Sequence, residues 1–184
     1  IGDPFVFSQE LANGSFEQDA NNDGRPDDWE TAGRSSVHQD LARISEPGRG
    51  YVARLRCTQF EGGFPDSHAM VAQVNRVGVK HGQWYRLRLW ARAEELESGS
   101  VSIALVNRKT WQDTGLRETF SPESQWKQYE FHFQAARDLQ PEESRFQIYF
   151  QGTGTLYLDD ITLEPVAAFR PQRLPQLPTE GLKN

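Results

Sequence analysis

The sequence predicts an all-β sandwich or jelly roll, on three grounds: stretches of strict apolar–polar alternation, turn signals between them, and no helical periodicity of useful length. The clearest stretch is 85–92, where Tyr85, Leu87, Leu89 and Ala91 share one face and Arg86, Arg88, Trp90 and Arg92 the other. Residues 101–105 alternate too. So do 129–133, with Tyr129, Phe131 and Phe133 opposite Glu130 and His132. Strands at 146–151 and 156–163 follow, separated by the turn Gly152-Thr-Gly154. Two more are expected at 51–57 and 69–77, with His81-Gly82 turning the chain into the next.

Composition supports one folded domain. The chain has 184 residues, with 36% apolar and 11% aromatic content, including five Trp and eleven Phe. Such a set can fill the space between two sheets and leave the outer faces polar. From Val166 the character changes, with Pro171, Pro175 and Pro178 scattered among Gln, Arg and Leu. The expected division is therefore a module over 1–165 and a Pro-rich linker or C-terminal strap over 166–184, leading toward another domain.

Charge narrows the functions. The formal net charge is −6, from 26 acidic and 20 basic residues. That argues against nucleic acid as the main partner, since phosphate binding needs a positive face. It is equally poor for anionic membranes, and no apolar run is long enough for membrane insertion. Cys57 is the single cysteine, so no intrachain disulfide forms and a small buried thiol is expected.

Four stretches in order carry a resemblance. They are Leu11-Ala-Asn-Gly-Ser-Phe-Glu17 with Gly24-Arg-Pro-Asp-Asp-Trp29; Gln73-Val-Asn-Arg-Val77 with Gly82-Gln-Trp-Tyr-Arg-Leu-Arg-Leu-Trp-Ala-Arg92; Trp126-Lys-Gln-Tyr-Glu-Phe131; and Leu156-Tyr-Leu-Asp-Asp-Ile-Thr-Leu163. Over roughly residues 9–165 the chain resembles the carbohydrate-binding modules of families four, nine, sixteen and twenty-two, the galactose-binding-like jelly rolls. The resemblance implies a jelly roll of two antiparallel sheets, one of them concave. It also implies a structural calcium (Ca2+) held by the Ser15 carbonyl, the Glu17 carboxylate and Asp160, completed by Glu46 and the Arg49 carbonyl. Oxygen donors of this kind suit a hard cation.

A second calcium candidate lies in Asp19-Ala-Asn-Asn-Asp-Gly-Arg-Pro-Asp-Asp-Trp-Glu30. Asp19, Asn21, Asp23, Asp27 and Glu30 occupy ligand-type positions around Gly24. Pro26 replaces the usual apolar residue and no amphipathic helix flanks the loop, so it is not an EF-hand pair. The alternative is an acidic surface turn that needs no metal.

Sugar binding calls for aromatic rings that stack on pyranose faces, with amides and guanidinium groups reaching the hydroxyls. Candidates on non-core faces are Arg88 and Trp90 on one strand, and Gln147, Tyr149 and Gln151 on another. Trp111 belongs to a polar stretch expected to be a loop or strand end, where an unburied Trp is costly without a purpose. Trp29 lies near a position that stacks on ligand in part of the resembled family, yet Trp29, Trp84 and Trp126 also suit packing. Arg86, Arg88 and Arg92 suit either a solvated face or an acidic polysaccharide.

Catalysis finds little support. The strand motif Glu-x-Asp-x-x-Glu of jelly-roll glucanases is absent, as are a Gly-x-Ser-x-Gly elbow and a phosphate loop. His38, His68, His81 and His132 show no metal-ligand spacing. The expected function is a non-catalytic carbohydrate-binding module that binds polysaccharide or oligosaccharide. It would target a polysaccharide-active catalytic domain in the same chain, as the accessory module of a glycoside hydrolase. Secretion or cell-surface display follows from the resemblance and the calcium. The alternatives are a structural or protein-interaction jelly roll of an extracellular protein without a sugar site, and a small polysaccharide lyase or hydrolase.

Overall fold

Alternation decides the architecture. In the computed structural model, which describes residues 10–168, ten strands form in chain order. They are β1 (Glu30–Ala32), β2 (His38–Glu46), β3 (Gly50–Gln59), β4 (Ala69–Val74) and β5 (Trp84–Glu94). After them come β6 (Val101–Asn107), β7 (Asp113–Phe120), β8 (Lys127–Gln134), β9 (Ser144–Phe150) and β10 (Gly154–Val166). A 3-10 turn at Pro141–Glu143 is the one helical element among the described residues, and none there is long and apolar enough to cross a membrane.

The strands pair antiparallel in two five-stranded sheets, β1-β4-β9-β6-β7 and β2-β3-β10-β5-β8. This is the all-β sandwich of jelly-roll type that the alternation predicts. Tyr85, Leu87, Leu89 and Ala91 of β5 face Phe146, Ile148 and Phe150 of β9 within one buried core. Each fully buried Leu or Phe there contributes about 1.5–3 kcal/mol over leaving it exposed. Tyr85 stacks on Phe133 of β8, ring centroids 5.4 Å apart, and its hydroxyl accepts from the Lys80 amide.

Three strands, β1, β2 and β7, are additions to the sequence reading. In β2 only Leu41 is buried, so the period that marks a strand is barely visible. In β7, Gly115 interrupts the pattern because it sits against β8: a Cβ there would lie 2.6 Å from the Gln134 carbonyl oxygen. β4 ends at Val74, short of the expected 77, because Asn75 takes a left-handed φ of 60° and turns the chain. Of the Pro-rich segment 166–184, everything past 168 lies outside the described residues.

The loop before β1 is stitched to the far end of the sequence. The Ile161 amide donates to the Gly14 carbonyl at 2.9 Å, and the approach is so close that a Cβ on Gly14 would meet the Ile161 oxygen at 2.1 Å. Gly14→Ala is therefore expected to cost about 2 kcal/mol, or roughly 4–8 °C in melting temperature. Thermal unfolding followed by circular dichroism checks this; an unchanged midpoint would show that the approach carries no weight.

Candidate functional site

On the first sheet the outward residues fall in rows across the strands. One row runs Ala32, Met70, Tyr149, Ser102, Thr119 through β1, β4, β9, β6 and β7. The next runs Glu30, Ala72, Gln147, Ala104, Arg117, and a third Val74, Arg145, Val106, Asp113. Ala72 and Ala104 flank Gln147 with side chains too short to fill the surface. Tyr149, Gln147 and Arg145 stand above this floor, and a trough of about 610 Å3 opens there. That volume is in the range of small-ligand sites. Pro65, Asp66 and His68 close one wall, and Trp111 another.

Trp111 is presented rather than packed. It is 62% exposed and holds φ = 60°, a left-handed backbone that a bulky residue adopts only when its surroundings impose it. Asn107 imposes it. Its side-chain oxygen accepts from the Lys109 and Thr110 amides at 2.8 and 3.2 Å, and its carbonyl accepts from the Trp111 amide at 2.7 Å. The indole thus stands in solvent at the rim of the trough.

The polar side chains of the trough are oriented by one another. Arg145 Nε donates to Gln147 Oε1 at 3.0 Å, Nη2 reaches Met70 Sδ at 3.0 Å, and the guanidinium carbon lies 5.8 Å from the Trp111 ring. Burial lowers the Arg145 pKa, Glu30 opposes that shift and Arg108 adds to it. His68 lies 5.7 Å from the Tyr149 ring; burial, then Arg145, holds its pKa below the usual imidazole value, against Asp66. Gln151 Nε2 donates to the Ser67 carbonyl at 3.2 Å, tying the end of β9 to the wall.

The sequence candidates divide between two surfaces. Trp111, Tyr149, Gln147 and Gln151 line the trough together. Trp90 and Arg88 point outward from β5, in the other sheet. There Arg88 pairs with Glu130 and Glu164 at 3.3 and 3.7 Å, Arg86 pairs with Glu164, and Arg92 pairs with Glu46 and Glu94. Trp90 lies under the Arg49 guanidinium at 4.5 Å, with Trp126 on Arg49 at 4.3 Å. Trp29 is 6% exposed and packs between Phe16 and Phe146, its indole N–H donating to the Asn13 carbonyl at 3.0 Å. Arg145 and His68 were not among the sequence candidates. Arg145 was legible, since it continues the two-residue period of Gln147 and Tyr149; His68 enters through tertiary placement alone.

Among the expected calcium donors, the Glu17 and Glu46 carboxylates have protein partners. Glu17 accepts from the Tyr51 amide at 3.0 Å, close to Gly50. Glu46 is engaged by Arg92 and by the Trp126 indole N–H, and the Arg49 side chain pairs with Asp159 at 3.0 Å. Asp159 is buried, and burial raises its pKa against the pull of Arg49, while Asp160 beside it is exposed at φ = 46°. Ser15 follows Gly14 in the stitched loop. In the second candidate loop the carboxylates serve the loop's own backbone. Asp19 accepts from the Asp23 and Gly24 amides, Asn21 from Asp23, Asp23 from Arg25, and Asp27 from Ala20. Among the described residues no three His, Cys, Asp or Glu side chains converge to hold a metal ion.

A second hollow, of about 650 Å3, is lined by Arg56, Cys57, Ala93, Glu94 and Thr155 among others, with no aromatic ring for a sugar to stack on. The Cys57 thiol is buried and its pKa raised by that burial, which leaves it a poor nucleophile.

The model of the carbohydrate binding domain family matches residues 8–156. The chain belongs to this carbohydrate-binding family, of types four and nine. Comparison with curated protein sequences gives no match. Among solved structures, this carbohydrate-binding domain is similar to part of an arabinose-bound α-L-arabinofuranosidase, at 14% identity and a TM-score of 0.67. That similarity covers 86% of the domain but only 27% of the enzyme. It is also similar to the N-terminal cellulose-binding domain of Cellulomonas fimi β-1,4-glucanase C, with 18% identity, 80% and 94% of the two chains covered, and a TM-score of 0.56. A cyclase from Fischerella sp. TAU shares the fold as well, at 14% identity and TM-score 0.59, with 89% and 99% covered. At these identities the likeness establishes the fold alone.

Proposed function

We propose that the carbohydrate-binding domain grips a polysaccharide in the trough of the β1-β4-β9-β6-β7 sheet, without catalysis, and so holds an attached polysaccharide-active domain at its substrate. The observation that carries this reading is Trp111, 62% exposed and fixed by Asn107 at the rim of a trough that also holds Tyr149 and two glutamines. Aromatic faces take the apolar faces of sugar rings, and amides take their hydroxyls. Tethering then raises the local concentration of polymer at the partner domain without any new contact. The same reading places the chain outside the cell or at its surface, where polysaccharide is met.

The absence of chemistry has its own support. Hydrolysis generally needs two carboxylates about 5–10 Å apart across the bond. The trough lining holds one, Asp66, and that is paired with Arg34 at 3.1 Å. Screening the chain on a glycan array, then incubating it with a retained polymer, tests both halves. Retention with no new reducing ends is expected. Reducing ends released in proportion to protein would overturn the non-catalytic reading, and a blank array would overturn the binding one.

A further inference from the structure

We propose that the trough is built for an acidic carbohydrate: a uronic acid residue whose carboxylate is received by Arg145 while a neighbouring ring stacks on Trp111. This rests on the sugar-binding reading above and specifies its ligand class.

The arginines of the two sheets are treated differently. On β5, Arg86, Arg88 and Arg92 are each neutralised by glutamates of the same protein. Arg145 is partly buried in the trough, yet among the described residues no carboxylate forms an ion pair with it. Glu30 acts on it only through space, and Arg108 adds positive potential from the loop that carries Trp111. A guanidinium kept partly out of water without an anion costs free energy, and a ligand carboxylate removes that cost on binding.

The geometry suits a planar anion. Of the five N–H donors of a guanidinium, one goes to Gln147 and one to the Met70 sulfur, which leaves three without a described partner. Gln147 thereby fixes the plane of the fork, and a fork held in plane matches a carboxylate through two parallel hydrogen bonds. The amide N–H groups of Gln147 remain for hydroxyls of the same sugar. Trp111 lies 5.8 Å from the guanidinium carbon, so stacking and charge recognition fall on adjacent parts of one saccharide. The chain as a whole carries −6, so a polyanion is not drawn to it at large, and retention on one reports a local site.

Affinity electrophoresis of the full chain in gels containing polygalacturonate or alginate, each beside its carboxyl-reduced counterpart, a neutral β-glucan and a sulfated galactan, tests this. Retention on a uronate polymer is expected, weakened roughly thirty-fold or more by carboxyl reduction or by Arg145→Gln. Arg145→Lys should retain part of the binding and lose more of it on added salt. Thermal unfolding of each variant shows that the loss is one of binding, and the carboxyl-reduced gels give the answer without any variant. Equal retention on the reduced or neutral polymers would overturn the uronate assignment and leave the sugar-binding reading standing. Retention on the sulfated chain alone would overturn it in favour of sulfate. No retention on any gel would overturn both.

Discussion

Trp111→Ala is expected to weaken polysaccharide binding roughly thirty-fold, since truncating a Trp on which the ligand stacks costs about 2 kcal/mol. The melting temperature should stay within about 1 °C of the parent, because an indole 62% exposed contributes little to packing. Dissociation constants from affinity electrophoresis, read beside thermal unfolding, separate the two effects. The pairing of a large binding loss with an unchanged midpoint is the signature of a residue held for a ligand. Its left-handed backbone points the same way, since Asn107 spends three hydrogen bonds on keeping that turn. Unchanged affinity in Trp111→Ala would remove the rim of the proposed site.

Arg49→Ala is expected to have the opposite profile: intact binding at low temperature and a melting point lower by on the order of 10 °C. Arg49 pairs with Asp159 at 3.0 Å, with side-chain exposures of 17% and 4%, and its guanidinium lies over the rings of both Trp90 and Trp126. Breaking a buried pair leaves the remaining charge without compensation, at about 3 kcal/mol, and each kcal/mol moves the midpoint of a chain this size by roughly 2–4 °C. Adding Asp159→Asn to Arg49→Ala should recover part of the loss, because the stranded charge is gone. If the double variant melts no higher than Arg49→Ala alone, the cost lies in the lost stacking on the two indoles and not in the ion pair.

What the sequence revealed follows from which forces are local. β5 and β9 alternate over most of their length because each has one face in a continuous core, so periodicity named both the strands and their buried residues. β2 and β7 are held by pairing with neighbours while burying little or breaking the pattern at Gly115, and hydrogen-bond partners leave no trace in hydropathy. The site was half legible for the same reason. Tyr149 and Gln147 could be placed on the outer face of a strand, and Trp111 on a loop or strand end, from pattern alone. Whether Trp90 and Tyr149 shared a sheet could not be, since strand order is a long-range property; β5 and β9 belong to different sheets. Trp29 lies within the acidic loop in sequence, and it anchors that loop by pointing into the core between Phe16 and Phe146. The arginines of β5 are answered by glutamates, whereas Arg145, to which the acidic sugar is proposed to bind, meets Met70 across strands that only register brings together.

The central claim, that one sheet face and not the other holds the sugar, is tested most directly by a pair of variants on a polymer that retains the intact chain. Tyr149→Ala alters the trough and Arg88→Ala the opposite sheet, where Arg88 pairs with Glu130 and Glu164. Affinity electrophoresis should show retention lost in Tyr149→Ala and kept in Arg88→Ala, with both variants folded. The reverse pattern, or equal retention of both, would contradict the assignment of the binding face.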